Sequence, residues 1–599
     1  MLNTAFIRPL VCSVFAAAIA IGTPARAQDT PVAITNAMIF DATGADPFLG
    51  TVVIEDGRIL AVTEGESSPA GAEILDAGGG ALLPGLFDVH THWSPSGTPP
   101  ETAQIAAAFL AAGITSVNDF HQAPESYEPR RARLDELQAP HVAFAARMSA
   151  SGGHGADWAD RNTTRWVDSP EAARAAVREI AAYRPDLIKV FSDGWRYGLY
   201  PNRNSVGEDT LSAIVAEAQA HGLPVATHTV SVERAAEAAR AGVSLIAHSV
   251  QDRLADEAMI AAMLEAGTAY APTLAVYEPA APQDAGAEGA ETASMQVSRA
   301  KFRFATENLR MLSEAGVLIA VGTDSGIAGV PHGEATHREL ELMVEAGLSP
   351  RQVLMAATSN SARAMRVSED RGTIEAGRRA DLVLVDGRPW ERISDIRHIR
   401  RVWLDGVAAD GAAPQDAPQP AQAVAALIDD FEREDGRTRL DTLRLEDFDG
   451  GRDRSTQITQ RIPRIEGGHA LNVSADLSVK DDPYAGVIFP LRRGGVAAAE
   501  VSDYDGLRFD LRGDGQAYQL RLHGEAESWV ASVGSSAGWT TQALPFSAFR
   551  TEDGGRAFAG EPVREVRLRM QRPGGATGWL EIDNIGFYRD GETAGEPVR

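Results

Sequence analysis

The chain has 599 residues, 44% of them hydrophobic and 23% charged, with a formal net charge of −27. That length exceeds what one hydrophobic core organises and implies two or three domains. The charge excludes DNA or RNA as a partner, because no local basic patch outweighs so negative a field. In chain order, residues 1–27 have the layout of a signal peptide. Arg8 gives a short positive start, an apolar run extends from Pro9 to about Gly22, and Ala25-Arg26-Ala27 is a small-x-small cleavage site. Cleavage there is expected to start the mature chain at Gln28 and to deliver a periplasmic or secreted protein. It would also remove Cys12, the only cysteine, leaving neither disulfide nor thiol nucleophile.

Residues 28–83 carry short β-branched runs (VAITNAMIFDAT, TVVIEDGRILAV, AEILDAGGGALL), with Asp56-Gly57 at a hairpin turn. Between 84 and 371 eight apolar runs alternate with Ala/Glu/Arg-rich stretches of helical period. The runs are LFDVHTH, ITSVNDF, HVAFAARMS, DLIKVF, PVATH, SLIAHS, TAYAPTL and VLIAVGTD. This pattern predicts an α/β fold, a (β/α)8 TIM barrel, with a doubly wound sheet as the alternative. The acidic, low-complexity stretch 278–294 reads as a mobile loop. Residues 372–407 return to strand pattern and are expected to complete the N-terminal module as a small β-sandwich. An Ala/Pro-rich linker, 408–424, precedes 425–599, where short strands with turns every ten or so residues predict an all-β jelly-roll domain.

Several histidines fall at the C-terminal ends of the predicted barrel strands. His90 and His92 close the first as His-Thr-His, and residues i and i+2 of a strand point to one side, so both imidazoles can reach one ion. Lys189 ends the fourth strand, His228 the fifth, His248 the sixth and Asp324 the eighth. In such a barrel those ends converge on the rim where active sites are built. One strand-end histidine alone is more often packed or solvated than ligating. The whole set in strand order reads as a metal site.

Lysine is the odd member, one of only three in the chain (Lys189, Lys301, Lys480), since arginine supplies nearly all the positive charge. An ammonium ion cannot ligate a metal. Lys189 can snorkel or pair with Asp119 or Asp193, or act as a desolvated Schiff-base amine. Alternatively its neutral amine captures carbon dioxide as a carbamate, an anionic bidentate group able to bridge two ions. Histidines on the neighbouring strands favour this last reading.

Weaker candidates for substrate contact follow. His154, in SGGHG after the third strand, can bind a substrate carbonyl or oxyanion, or sit in a surface turn. Arg196 and Tyr197, in DGWRYGLY, can clamp a substrate carboxylate, with Trp195 and Tyr200 packing the loop. His332, in GVPHGE, can touch substrate or order a lid. His121, His141, His221, His337, His398, His469 and His523 are assigned to structure or solvent. There is no Gly-x-Ser-x-Gly elbow, which weakens a serine-hydrolase reading.

The motifs LLPGLFDVHTHW, GITSV, SGGHGAD, DLIKV, ATH, IAHS, GTDSG, AATSNSARAMRV and GTIEAGRRADLVLVDG span roughly residues 30–407. In that order they resemble the amidohydrolase superfamily, and within it the secreted prolidase-type dipeptidases and imidazolonepropionase-like hydrolases. The resemblance implies a binuclear site, typically zinc. One ion would be held by His90, His92 and Asp324, the other by His228 and His248, with carboxylated Lys189 bridging. It also implies a metal-activated hydroxide as nucleophile, with Asp324 accepting the water proton and passing it to the leaving amine. Imidazolonepropionases proper use one metal and lack the strand-four lysine, so Lys189 points toward the dipeptidases. One departure is the second strand, which reads VNDF where dipeptidase relatives often carry an arginine before the aspartate.

Near the C-terminus, DDFE, DYDGLRFDLRGDGQAYQLRL and GWTTQALPFSAF resemble the complex I intermediate-associated protein domain, a galactose-binding-like jelly roll. Trp529 and Trp539 can stack on a sugar ring there, or fill the sandwich core or cover the barrel. The expectation is therefore an exported metal-dependent amidohydrolase that cleaves a C–N amide bond in a dipeptide or N-acyl amino acid, with Lys189 and Asp324 catalytic. The alternatives are a cyclic amide or amidine hydrolase of imidazolonepropionase or hydantoinase type, and a binding protein acting through its C-terminal sandwich. The expected partners are a small-molecule or dipeptide substrate, a glycan or intramolecular surface for the C-terminal domain, and further copies of the chain in a homo-oligomer.

Overall fold

The computed structural model describes residues 30–65, 67, 70–93, 99–154, 163–193, 204–279, 293–409, 420–449 and 454–591. The expected signal peptide, most of the acidic stretch 278–294, the centre of the linker, and Trp195, Arg196, Tyr197 and Tyr200 lie outside the described residues. No helix among the described residues is long and apolar enough to cross a membrane.

Seven parallel strands follow one another in sequence order: Leu86–Thr91, Ile114–Asp119, His141–Ser149, Leu187–Phe191, Val225–His228, Leu245–Ala247 and Ala269–Ala271. The eighth run closes the ring between the seventh strand and the first. Tyr270 N–H donates to Leu318 O at 2.9 Å, Val89 N–H to Val321 O at 2.8 Å and Asp324 N–H to His90 O at 2.8 Å. Closure favours the barrel over the doubly wound sheet. The eighth run makes only isolated bridges, Tyr270 to Ile319 and Thr91 to Ser325, instead of a continuous ladder. Two local features explain this. Asp324 adopts a left-handed φ of 66°. Gly322 has no room for a side chain, since an added Cβ would lie 3.0 Å from His90 Cβ.

The helices fall where the apolar faces predict them, at Pro99–Ala111, Pro170–Ala181, Glu208–Ala220, Val232–Arg240 and Glu257–Ala266. Their ends follow local chemistry. Ser169 accepts from Ala172 N–H with Pro170 in the first turn, Asp256 accepts from Met259 N–H, and Gly267 ends its helix at φ 66°. Inside the barrel the packed layer is mostly small, including Ala145, Ala226, Ala247, Ala269, Ala271 and Ala320 around Val89, Phe120 and Leu187. Alanines there leave room for the larger polar side chains at the strand ends.

The segments flanking the barrel share one eight-stranded sheet. Ala81–Pro84 from the N-terminal side pairs antiparallel with Leu382–Val385 from the C-terminal side. Its own apolar cluster includes Ile34, Ile54, Leu382 and Trp403. Asp56 (φ 48°) and Gly57 (φ 76°) form the predicted tight turn. His141, at the base of the third barrel strand, meets Asp381 of this sheet at 3.0 Å, which makes it a structural tie between the two.

Beyond the linker, two antiparallel six-stranded sheets pack face to face around Ile428, Phe489, Leu520, Val566 and Ile582. Trp529 is 2% exposed and packs edge-on against Phe558 at 4.9 Å. Of the two readings, it fills the sandwich core and offers no sugar platform. Arg464 covers the Trp539 ring at 4.1 Å. This domain docks on the barrel. Arg437 donates to buried Glu125 at 2.5 Å and to Tyr183 Oη at 3.2 Å, and Arg493 reaches Glu128 at 3.1 Å. Gly494 (φ 63°) seats against Ser126, where an added Cβ would come within 2.5 Å of Ser126 Cα.

Candidate metal centre

The strand-end residues converge on the barrel mouth. Asp324 Oδ1 lies 2.8 Å from His92 Nε2 and 3.0 Å from His90 Nε2. The His90 ring sits 4.4 Å from that of His248, which is 4.1 Å from that of His228. His154 joins the group, 4.2 Å from His228 and 3% exposed. His90, His92, Lys189, His228, His248, Asp324 and His154 are thus brought together. His332 serves a different purpose: its Nε2 donates to the His92 carbonyl at 2.8 Å and its ring packs on Phe109. The same carbonyl demands Gly326, which has φ 97° and whose added Cβ would overlap it.

Lys189 is 2% exposed, in register with Arg147 on the third strand and Ala226 on the fifth. Its Nζ sits 4.3 Å over the centre of the Phe120 ring and has no hydrogen-bond partner among the described residues. It neither snorkels nor pairs with Asp119 or Asp193. Burial pushes its amine well below the usual lysine range, Arg147 adds to that, and Asp324 opposes it. A neutral amine follows, since a lone buried ammonium is costly.

Burial likewise favours neutral imidazoles. It carries His90 down to about 3, with Lys189 adding to the effect and Asp324 opposing it, and it sends His228 and His248 well below their ordinary value. Burial alone would raise Asp324. His90 and His248 beside it, with hydrogen bonds from His90 and His92, instead hold its carboxyl well below the usual range.

Asp88, one pleat deeper than His90, braces the site. It accepts from Thr323 N–H, Thr323 Oγ1, Thr336 Oγ1 and His90 N–H, so the strand carrying both histidines is tied to the segment carrying Asp324. Burial lifts Asp88 to about 7 against those bonds. Three ring nitrogens have a defined neighbour. Nε2 of His90 and His92 faces Asp324, and Nδ1 of His248 faces Thr273 Oγ1 at 3.0 Å, leaving His248 Nε2 toward the cluster.

This donor set fits divalent cations. Imidazole nitrogen and carboxylate oxygen are common ligands of zinc, and they bind in the states present here: imidazoles kept neutral by burial, and an Asp324 carboxylate kept ionised by the histidines beside it. His90, His92 and Asp324 would hold one ion. His228 and His248 sit beside a neutral amine that has no hydrogen-bond partner among the described residues.

Some residues at the site escaped the sequence reading. His121, assigned to structure or solvent, is buried with its ring 5.4 Å from His92. Its position just past the second strand is the same signal that selected the other histidines. Asp119 Oδ1 accepts from Trp93 N–H and His121 N–H, fixing that turn. Asp193 accepts from His154 Nδ1 at 2.8 Å.

Residues 81–412 match the family model described as "Amidohydrolase family". The chain belongs to the amidohydrolase family. Residues 466–569 match the model of complex I intermediate-associated protein 30. Among curated relatives of this amidohydrolase, an imidazolonepropionase of Deinococcus radiodurans is 25% identical over 383 residues, covering 57% of this chain and 87% of the relative. A putative prolidase from Bifidobacterium longum is similar in structure, at 28% identity and a TM-score of 0.55, over 64% of this chain and 95% of that one. A Xaa-Pro dipeptidase with methionine bound in its active site shows 25% identity and a TM-score of 0.54, over 63% of this chain and all of that one. The protein is a hydrolase acting on carbon–nitrogen bonds in small-molecule substrates.

Proposed function

We propose that this amidohydrolase is exported, holds two divalent ions, most simply zinc, and cleaves the C–N amide bond of a dipeptide or N-acyl amino acid. The observation that carries the reading is Lys189, a buried amine with no hydrogen-bond partner among the described residues, set beside neutral imidazoles. Nζ attacks the carbon of CO2, the N–C bond forms as one C=O π pair moves onto oxygen, and one N–H proton passes to water, so that the side chain ends as a carbamate anion. An anion there resolves the otherwise costly burial, because it belongs next to cations. The prolidase and Xaa-Pro dipeptidase likenesses favour a short peptide substrate.

Bound divalent ions would supply an acidified water and polarisation of the scissile carbonyl. The chain's own groups do the rest. Asp324, held ionised, accepts the proton of the attacking water and delivers it to the leaving amine. Asp88 keeps Asp324 and His90 in register through that transfer. His154, fixed by Asp193, faces the rim where a carbonyl oxygen would sit. Residues 1–27 would direct the chain to the periplasm or beyond. The C-terminal domain finds its partner in the barrel through Arg437 and Glu125.

A second reading is supported by the imidazolonepropionase likeness, namely hydrolysis of a cyclic amide or amidine. A dipeptide and N-acyl amino acid panel run beside imidazolones and hydantoins separates the two, with metal per chain measured on the same preparation. Turnover of dipeptides with about two ions per chain supports the first reading. Turnover confined to the cyclic compounds, or a single ion, overturns it.

A further inference from the structure

Three strand ends of the barrel mouth meet at one carboxylate that the ligand set does not include. Asp193 follows the fourth strand and is 1% exposed. Its Oδ2 takes the hydrogen bond from His154 Nδ1 at 2.8 Å, and the same oxygen lies 3.6 Å from His228 Nε2. The second distance is too long for a direct hydrogen bond and short enough for strong electrostatic orientation in a buried site.

The surroundings hold all three side chains in place. Ser192 N–H donates to His228 O at 3.1 Å, Thr229 Oγ1 donates to Ser192 O at 3.3 Å, and Ser192 Oγ donates to Val206 O at 2.8 Å. On the other side, Ser149 Oγ donates to the His154 carbonyl at 2.6 Å. Gly153 is packed so closely that an added Cβ would lie 2.8 Å from Ala150 O, Asn204 O and Ser149 Oγ. The carboxylate therefore sits in a braced cradle.

We propose that Asp193 is a positioning residue that orients two imidazoles with one oxygen, turning His228 so that Nδ1 is presented to an ion and fixing His154 so that Nε2 is presented to substrate. The logic for His228 is that of a carboxylate behind a ligating histidine: the nitrogen facing the carboxylate carries the proton, and the other is the ligand. For His154 the same carboxylate sets ring plane and tautomer. Asp193 thereby couples a metal ligand to a substrate contact. A disturbance of either imidazole is felt by the other through a group that touches neither metal nor substrate.

This inference rests on the two-ion reading of the site, and the test keeps the two apart. Wild-type protein, Asp193→Asn, Asp193→Glu and His154→Ala are loaded with Co²⁺ and with Zn²⁺. Ions per chain, chelator-competition affinities, the visible Co²⁺ spectrum and the far-ultraviolet circular dichroism are then measured, together with kcat and KM. Asp193→Asn is expected to weaken one of the two ions by about 10–100-fold and to alter the Co²⁺ spectrum, leaving the other ion unmoved. Asp193→Glu, which keeps the charge, should retain more of that affinity. His154→Ala should keep both ions, shift the affinity and Co²⁺ spectrum of that same ion by less than Asp193→Asn does, and change KM or kcat. Two ions held by Asp193→Asn with wild-type affinity and spectrum would overturn the proposal. So would equal losses in the Asn and Glu variants, which would point to packing alone. A wild-type protein with one ion instead overturns the two-ion reading, and this inference with it.

Discussion

Nζ of Lys189 rests 4.3 Å over the Phe120 ring, and the His90 imidazole leans on that ring 4.6 Å away. One aromatic side chain thus floors both the lysine and a ligand histidine. It supplies an apolar wall that keeps water from the amine, which is the condition for a neutral nucleophile toward CO2.

Replacing Lys189 by Met should separate stability from activity. The variant removes a buried polar group with no partner among the described residues, so metal-free Lys189→Met is expected to be as stable as metal-free wild type, or up to about 1–3 kcal/mol more stable. The same variant should lose one ion and nearly all turnover. Small carboxylic acids such as formate should restore part of the activity by occupying the place of the carbamate. Thermal melts of stripped protein, metal analysis and formate titration check this. Full turnover in the variant would remove the carbamate reading.

Acid should unfold the metal-free enzyme earlier than its composition suggests. The folded value of His90 is depressed to about 3 from an ordinary 6.5, and His228 and His248 are depressed as well. Between those limits the unfolded chain binds more protons than the folded one, so stability falls as pH drops from about 6.5 toward 3. For His90 alone this amounts to several kcal/mol in order of magnitude. Urea melts of chelator-treated protein across that range should show the slope, and His90→Asn should flatten it.

Asp324→Asn keeps the size of the side chain while removing its proton-accepting charge. We expect kcat to fall by about 10²–10⁴-fold, the range for loss of a general acid–base group, with little change in KM. Loss of the acidic limb of the kcat–pH profile would assign that limb to Asp324. A profile with the wild-type shape would give the proton to another group.

Glu125→Ala tests the domain seam. The Glu125 side chain is 6% exposed and pairs with Arg437, itself only 15% exposed. Breaking a buried pair by removing one partner costs about 3–5 kcal/mol. Protease cleavage within 410–419 should quicken, and calorimetry should show two transitions in place of one.

Much of the barrel was legible because its signals are local. The alternation of apolar runs and amphipathic stretches, and Asp56-Gly57 as a turn, each act within a few residues. His90, His92, His228, His248 and Asp324 were legible because strand order fixes which ends share a rim. Asp193, weighed only as a partner for Lys189, and His121, assigned to structure or solvent, were misplaced for a common reason. Their partners come from other strands, and contacts across loops depend on barrel tilt and stagger, which no local period encodes. Trp529 shows the limit in the other direction, because an aromatic in a β-sandwich reads the same whether it faces the core or solvent. Only its packing against Phe558 decides.

The seat of Gly494 on Ser126 also bears on how the enzyme should be handled. Trimming the chain at the linker would not recover a simple counterpart of the shorter relatives. It would strip the sunken Glu125 carboxylate of its cation a short way downstream of Phe120 and His121, in the helical turn that follows the second barrel strand. Rates recorded on such a fragment would describe an injured catalyst, so the tail belongs in every assay tube.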